Sequence, residues 1–151
     1  RMQLELPPQP KARIRRDLRK GKWREIGGVL MGEQLFPGHF RIVDYSIDTK
    51  SGNTAQFVRR PEHHREALET FFETTGADFS RFNYLGEWHS HPCFTARPSQ
   101  QDISEMAALV EEEEDIPFSI LLIVRTRWYL KLEFYALLFQ RGGFISEVQF
   151  V

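Results

Sequence analysis

The chain has 151 residues, 41% of them hydrophobic and 13% aromatic, enough apolar material for one ordinary core, so a single domain over residues 1–151 is expected. A formal net charge of -1 argues against a protein whose main task is to coat nucleic acid or an anionic membrane. A lone cysteine, Cys93, excludes an intramolecular disulfide framework and suits a reducing compartment, so a free thiol and a cytoplasmic location are expected.

Residues 1–5 carry charge and then meet Pro7 and Pro8, with no apolar stretch of signal-peptide length behind them, so no export signal is expected. Residues 11–20 form a basic run with Ile14 and Leu18 four apart, which predicts a short amphipathic helix with a strongly positive polar face. Nucleic-acid grooves interleave cations with aromatic rings, and this stretch offers only Trp23, so a charged helix face is the expectation. Residues 27–35 and 40–47 are apolar and β-branched around Pro37-Gly38, which predicts a hairpin. Pro61 opens a segment with Ala67, Leu68, Phe71 and Phe72 at helical spacing, ending near Gly76. His63 and His64, at the start of that helix beside Glu62 and Arg65, are expected on a solvated surface.

Residues 83–91 read as a strand, 99–114 as a helix, and 118–124, 128–135 and 144–151 as further strands. The acidic run at 111–115 opposes the dipole at its helix end and is expected to be solvated. The most apolar windows, 118–124 and 134–139, are far shorter than the roughly 20 residues of a membrane helix. The mixed order of elements predicts an α/β or α+β fold.

The informative stretch is Glu87-Trp-His-Ser-His-Pro-Cys-Phe-Thr-Ala-Arg-Pro-Ser-Gln-Gln-Asp102. On a strand, residues two apart share a face, so His89 and His91 converge while Trp88 and Ser90 face the other way. Pro92 cannot continue a ladder and the turn-like segment to Pro98 folds the chain over. Ser99 and Asp102, three apart at the start of the next helix, can both look back at the two imidazoles. Two neutral imidazoles and one carboxylate leave a fourth tetrahedral position for water, the open arrangement of catalytic zinc. Each part alone has a plainer explanation: Ser-x-x-Asp is close to a capping box, and a lone His-x-His is usually two unrelated polar residues. The conjunction of scarce residue types across a strand stop favours a metal site of His89, His91 and Asp102.

These motifs resemble those of the JAMM (MPN-plus) metallopeptidases, whose signature joins His-x-His-Pro to Ser-x-x-Asp through a spacer of the length seen here. The upstream segment Glu25-Ile-Gly-Gly-Val-Leu-Met-Gly32 is similar to the family's glutamate segment. The resemblance runs from the first helix to the strand after residue 118. It implies the MPN/JAMM fold, a central mixed sheet flanked by helices, with one zinc ion per chain. It also implies that Glu25 is the general base and that the Ser99 hydroxyl donates to the oxyanion on the scissile carbonyl. Gly27 and Gly28 would let another backbone, the substrate's or the protein's own, come close. Strand parity makes Glu87 a competitor of Glu25, read as a group behind the ligands, a substrate contact or a solubility feature.

More narrowly, Phe57-Val-Arg-Arg-Pro-Glu-His-His and Tyr84-Leu-Gly-Glu-Trp-His-Ser-His-Pro look like a small bacterial branch found beside ubiquitin-like conjugation genes in antiphage (CBASS-type) operons. That resemblance implies an isopeptidase or peptidase acting on a ubiquitin-like protein or on a conjugated enzyme with an extended C-terminal tail, bound by strand addition. Neither a membrane nor nucleic acid is an expected partner. The alternatives are a DNA-repair-associated relative and a non-catalytic scaffold of the same fold. Residues 48–56 and 93–98 are expected to grip the substrate tail. Cys93 lacks the cysteine partners of a zinc ligand.

Overall fold

The computed structural model describes residues 1–50, 52, 62–92, 95–127 and 131–151. In chain order its elements are β1 (Gln3–Glu5), α1 (Pro8–Gly21), β2 (Gly27–Phe36), β3 (His39–Tyr45), α2 (Glu62–Thr74), β4 (Phe82–Ser90), α3 (Gln100–Glu112), β5 (Phe118–Arg127), β6 (Lys131–Gln140), β7 (Phe144–Glu147) and β8 (Gln149–Phe150). The strands among the described residues make one mixed sheet in the order β7-β6-β5-β4-β2-β3-β1-β8. The β4–β5, β1–β3 and β1–β8 pairs are parallel and the others antiparallel. This is the mixed α+β architecture expected from the sequence.

The hairpin of β2 and β3 turns at Pro37 and Gly38, and Gly38 takes φ 77°, a conformation open to glycine at little cost. The parallel neighbours β4 and β5 need a crossover, and α3 supplies it. β5 is buried on both faces, as its unbroken apolar run requires. Ile120, Leu122 and Val124 join Trp88, Leu30 and Ile14 of α1 on one side of the sheet. Leu121 and Ile123 join Met106, Leu109 and Val110 of α3 on the other. Full burial of such side chains stabilises the fold by about 1.5–3 kcal/mol each. The two sides of β4 thus have separate duties, with Trp88 in the core beneath α1 and the histidines turned toward α3.

Several boundaries depart from the sequence reading. The first helix begins at Pro8, because proline is accepted in a first helical turn, whose amides lack intrahelical partners. Its face is less positive than expected: Asp17 is buried, accepts from the Tyr45 hydroxyl at 2.6 Å and pairs with Lys20 at 3.1 Å, while Arg13 pairs with Asp44 at 2.8 Å. The segment 144–151 is two strands rather than one. β7 pairs with β6, β8 pairs with β1 at the other end of the strand order, and Val148 alone separates them. The acidic end of α3 is also more than a solvated terminus. Arg141 donates to the carbonyls of Val110, Glu113 and Glu114 at 2.9, 2.7 and 3.1 Å, and Glu111 accepts from the amides of Gly142 and Gly143. None of the described helices is long and apolar enough to cross a membrane. The expectations for Cys93, most of 48–56, and the segment 57–61 lie outside the described residues.

Candidate metal centre

The site forms where β4 ends, beside the start of α3. His89 and His91 are buried, and their rings stack at a centroid distance of 5.1 Å. The ladder continues past the last strand residue, with the His91 amide donating to the Val124 carbonyl at 3.0 Å. His91 Nδ1 lies 3.0 Å from the Thr95 carbonyl, a contact that fits an Nδ1–H donor and leaves Nε2 for the pocket. Ser99 caps α3: its Oγ accepts from the Asp102 amide at 3.1 Å, and Asp102 Oδ2 accepts from the Ser99 amide at 2.7 Å.

The capping carboxylate is also the one that faces the histidines. Asp102 Oδ2 lies 3.3 Å from His89 Nε2 and 3.5 Å from His91 Nε2. Glu25, 2% exposed, approaches from the segment before β2, with Oε1 3.9 Å from His91 Nε2. Ligand atoms of Glu25, His89 and His91 lie within 4.8 Å of one another. Metal bonds of about 2.0–2.2 Å in a tetrahedron give ligand-to-ligand edges of about 3.3–3.6 Å. Both edges from Asp102 match that size, and the Glu25 edge is longer. The donor set of imidazole nitrogens and carboxylate oxygens suits zinc.

Charge and burial compete here. Burial alone would raise the Asp102 pKa, yet hydrogen bonds from both histidines, the charge of His89 and the Ser99 amide hold it far below the usual carboxylate range. For His91, burial acts to lower the pKa, but the bonds to Asp102 and Thr95 and the charges of Glu25 and Asp102 outweigh it and raise it. The pocket is therefore an electronegative socket that favours a cation.

Backbone packing sets the position of Glu25. The Ser90 amide donates to the Ile26 carbonyl at 2.8 Å, and the Ile26 amide donates to Ser90 Oγ at 3.0 Å. Next along the chain, Gly27 sits opposite His89 in register. A Cβ there would collide with the Trp88 carbonyl and the backbone of His89, so the glycine admits the protein's own strand.

The family described as prokaryotic homologues of the JAB domain matches residues 8–135. The chain belongs to that family. Among solved structures, a protein from Desulfitobacterium hafniense is 20% identical with a TM-score of 0.70, covering 98% of this chain and 91% of that one. A protein from Salinibacter ruber, also 20% identical, has a TM-score of 0.57 and covers 97% of this chain and 90% of that one. These likenesses show a shared fold. Among curated proteins none matches the sequence.

In this JAB domain the five residues singled out from the motifs, Glu25, His89, His91, Ser99 and Asp102, gather at one end of β4. Glu87 shares their strand and is 8% exposed, too buried to serve mainly for solubility. His64 is a correction: it is 5% exposed, and its Nδ1 meets Ser46 Oγ at 2.5 Å. The reason is a polar junction that spacing does not reveal. Ser46 Oγ also accepts from the Val29 amide at 2.9 Å, and the Ser46 carbonyl accepts from Trp88 Nε1 at 2.9 Å. Ser46 thus ties the reverse side of the histidine strand to β2 and α2, and it lies 42 residues before Trp88 with no motif to announce it.

Proposed function

We propose that this JAB-domain protein is a zinc hydrolase of JAMM type. It would cleave the peptide or isopeptide bond joining a ubiquitin-like protein, or the C-terminal tail of a conjugated enzyme, to its target, in the cytoplasm and in bacterial antiphage defence. The observation that carries this reading is the approach of one Asp102 oxygen to both Nε2 atoms, at 3.3 and 3.5 Å, with Glu25 beside them. His89, His91 and Asp102 would hold one zinc ion per chain, which supplies Lewis acidity that makes water a nucleophile near neutral pH.

The chain's own residues divide the remaining work. Glu25, buried and held beside His91, is placed to take a proton from the attacking water and return it to the leaving amine. Ser99 Oγ accepts from the Asp102 amide, which leaves its hydroxyl hydrogen to donate to the charge that develops on the scissile carbonyl. Ser99 is exposed, so a substrate can reach it. His91 keeps its ring orientation through Thr95. An extended tail suits strand addition beside this strand end.

Metal analysis of the purified protein, alongside cleavage of ubiquitin-like fusions, tests the reading. About one zinc per chain is expected, retained in Glu25→Ala with activity gone and lost in the His89→Ala, His91→Ala double variant. A metal-free parent would overturn it and leave a binding scaffold of the same fold.

A further inference from the structure

A second feature of the molecule lies at the same strand end. Arg15 and Arg19 on α1, with Lys22 and Trp23 just after it, face Pro92 and Arg125 across a cavity of about 570 Å³. That volume lies in the range of ligand sites. The walls mix apolar surface with four cations and include no acidic side chain. Elsewhere on α1, Arg13 pairs with Asp44 and Lys20 with Asp17, while Lys11 and Arg16 lie outside the cavity wall. Among the described residues, Arg15, Arg19, Lys22 and Arg125 have no ion pair.

Arg125 makes the case specific. Its Nε is buried and has no hydrogen-bond partner among the described residues. A guanidinium N–H removed from water without an acceptor is costly to keep, and the charge of an anion in the adjoining cavity would offset part of that cost. Glu133 stands opposite Arg125 in the β5–β6 register but is not part of the cavity wall. The cavity also touches the metal centre through the backbone. Pro92 follows His91 directly, and the His91 amide donates to Val124, the residue before Arg125.

We propose that this cavity is an anion subsite that holds an acidic side chain of the polypeptide substrate where the bound chain rounds the end of β4, on the sheet face opposite the histidines. The proposal rests on the hydrolase reading above. Carboxylates match a guanidinium fork and adjacent cations, and the apolar part of the wall suits the methylene stem of a glutamate. A nucleic acid backbone would need a positive stripe along the surface. Here the net charge is -1, and Arg15, Arg19, Lys22 and Arg125 converge on one hollow rather than on a stripe.

Binding and cleavage are read separately. A short extended peptide with adjacent glutamates, and its glutamine counterpart, are titrated by calorimetry and by the emission of Trp23, which is exposed in the cavity wall. The glutamate peptide is expected to bind roughly tenfold tighter, with the advantage shrinking as salt is added. Arg125→Gln is expected to remove most of that preference, and Arg19→Gln, on the exposed helix surface, part of it without risk to folding. The Trp23→Phe variant should lose the emission change. Equal binding of the two peptides, or a preference that survives both arginine variants, overturns the proposal. So does binding of AMP or inorganic phosphate in place of the peptide. A protein that keeps the glutamate preference and cleaves nothing when loaded with zinc supports the subsite and overturns the hydrolase reading instead.

Discussion

Ser90 and Ile26 exchange two hydrogen bonds, one through the serine amide at 2.8 Å and one through its hydroxyl at 3.0 Å. The middle residue of His-Ser-His thereby clamps the segment that carries Glu25. Replacing Ser90 by alanine leaves the buried Ile26 amide without its acceptor, a loss of about 1–3 kcal/mol. Unfolding in denaturant should show that loss, zinc content should stay, and turnover should fall because Glu25 is no longer held in place. A Ser90→Ala protein as stable and active as the parent would remove the clamp from the account.

Glu25 and Glu87 are both buried acids near the histidines, and only one can be the base. Glu25→Gln is expected to keep zinc and lose at least about a hundredfold in turnover, within the range for a lost acid–base group. Glu87→Gln should retain most activity. The reverse pattern in steady-state kinetics would exchange their roles.

Ser99 combines a structural and a chemical duty that substitutions can separate. Ser99→Ala should cost about 0.5–2 kcal/mol of stability through the lost cap, whereas Ser99→Gly should cost only a few tenths. Both remove the hydroxyl, so both should lower turnover by about 10²–10³ if it donates to the oxyanion. Activity that follows stability rather than the hydroxyl would reduce Ser99 to a cap.

Tyr45 links pH to stability away from the site. Burial and the hydrogen bond to Asp17 raise its phenol pKa above the usual value of 10.0, against the opposing influence of Arg13. A raised folded pKa means that this contribution is fully present below about pH 10 and is lost as pH climbs toward the folded value. Thermal unfolding should therefore weaken on alkaline titration above pH 10, and a Tyr45→Phe protein should show less of that decline. An identical alkaline slope in the two proteins would contradict the assignment.

The meeting of the candidate site's residues was legible because its parts are local. His89, His91, Ser99 and Asp102 fall within 14 residues of one another, and alternation on a strand followed by a helix start already fixes which side chains can meet. Glu25 needed the family resemblance, since nothing in its own segment says that β2 lies against β4. Long-range pairing escaped for the same reason. β1 has three residues and its neighbours come 36 positions later and from the far end of the chain. A polar residue at a helix start is normally solvated, and His64 departs from that because its Ser46 partner, in the segment just after β3, is 18 residues away. The basic helix misled by composition: Asp17 and Asp44 neutralise part of it, and only the folded chain shows which cations remain.

The segment from Phe144 to Phe150 spends its first half on β6 and its second half on β1, with Val148 donating to Ala136, Gln149 to Met2 and Val151 to Leu4. It works as the seam of a sleeve. Exposed sheet margins are adhesive toward other chains, and this single run of backbone keeps the flanks of both β6 and β1 occupied. Unstitching it would uncover two sticky selvedges at once, on opposite ends of the strand order. The cover over both margins therefore depends on a few residues that lie outside the candidate site altogether.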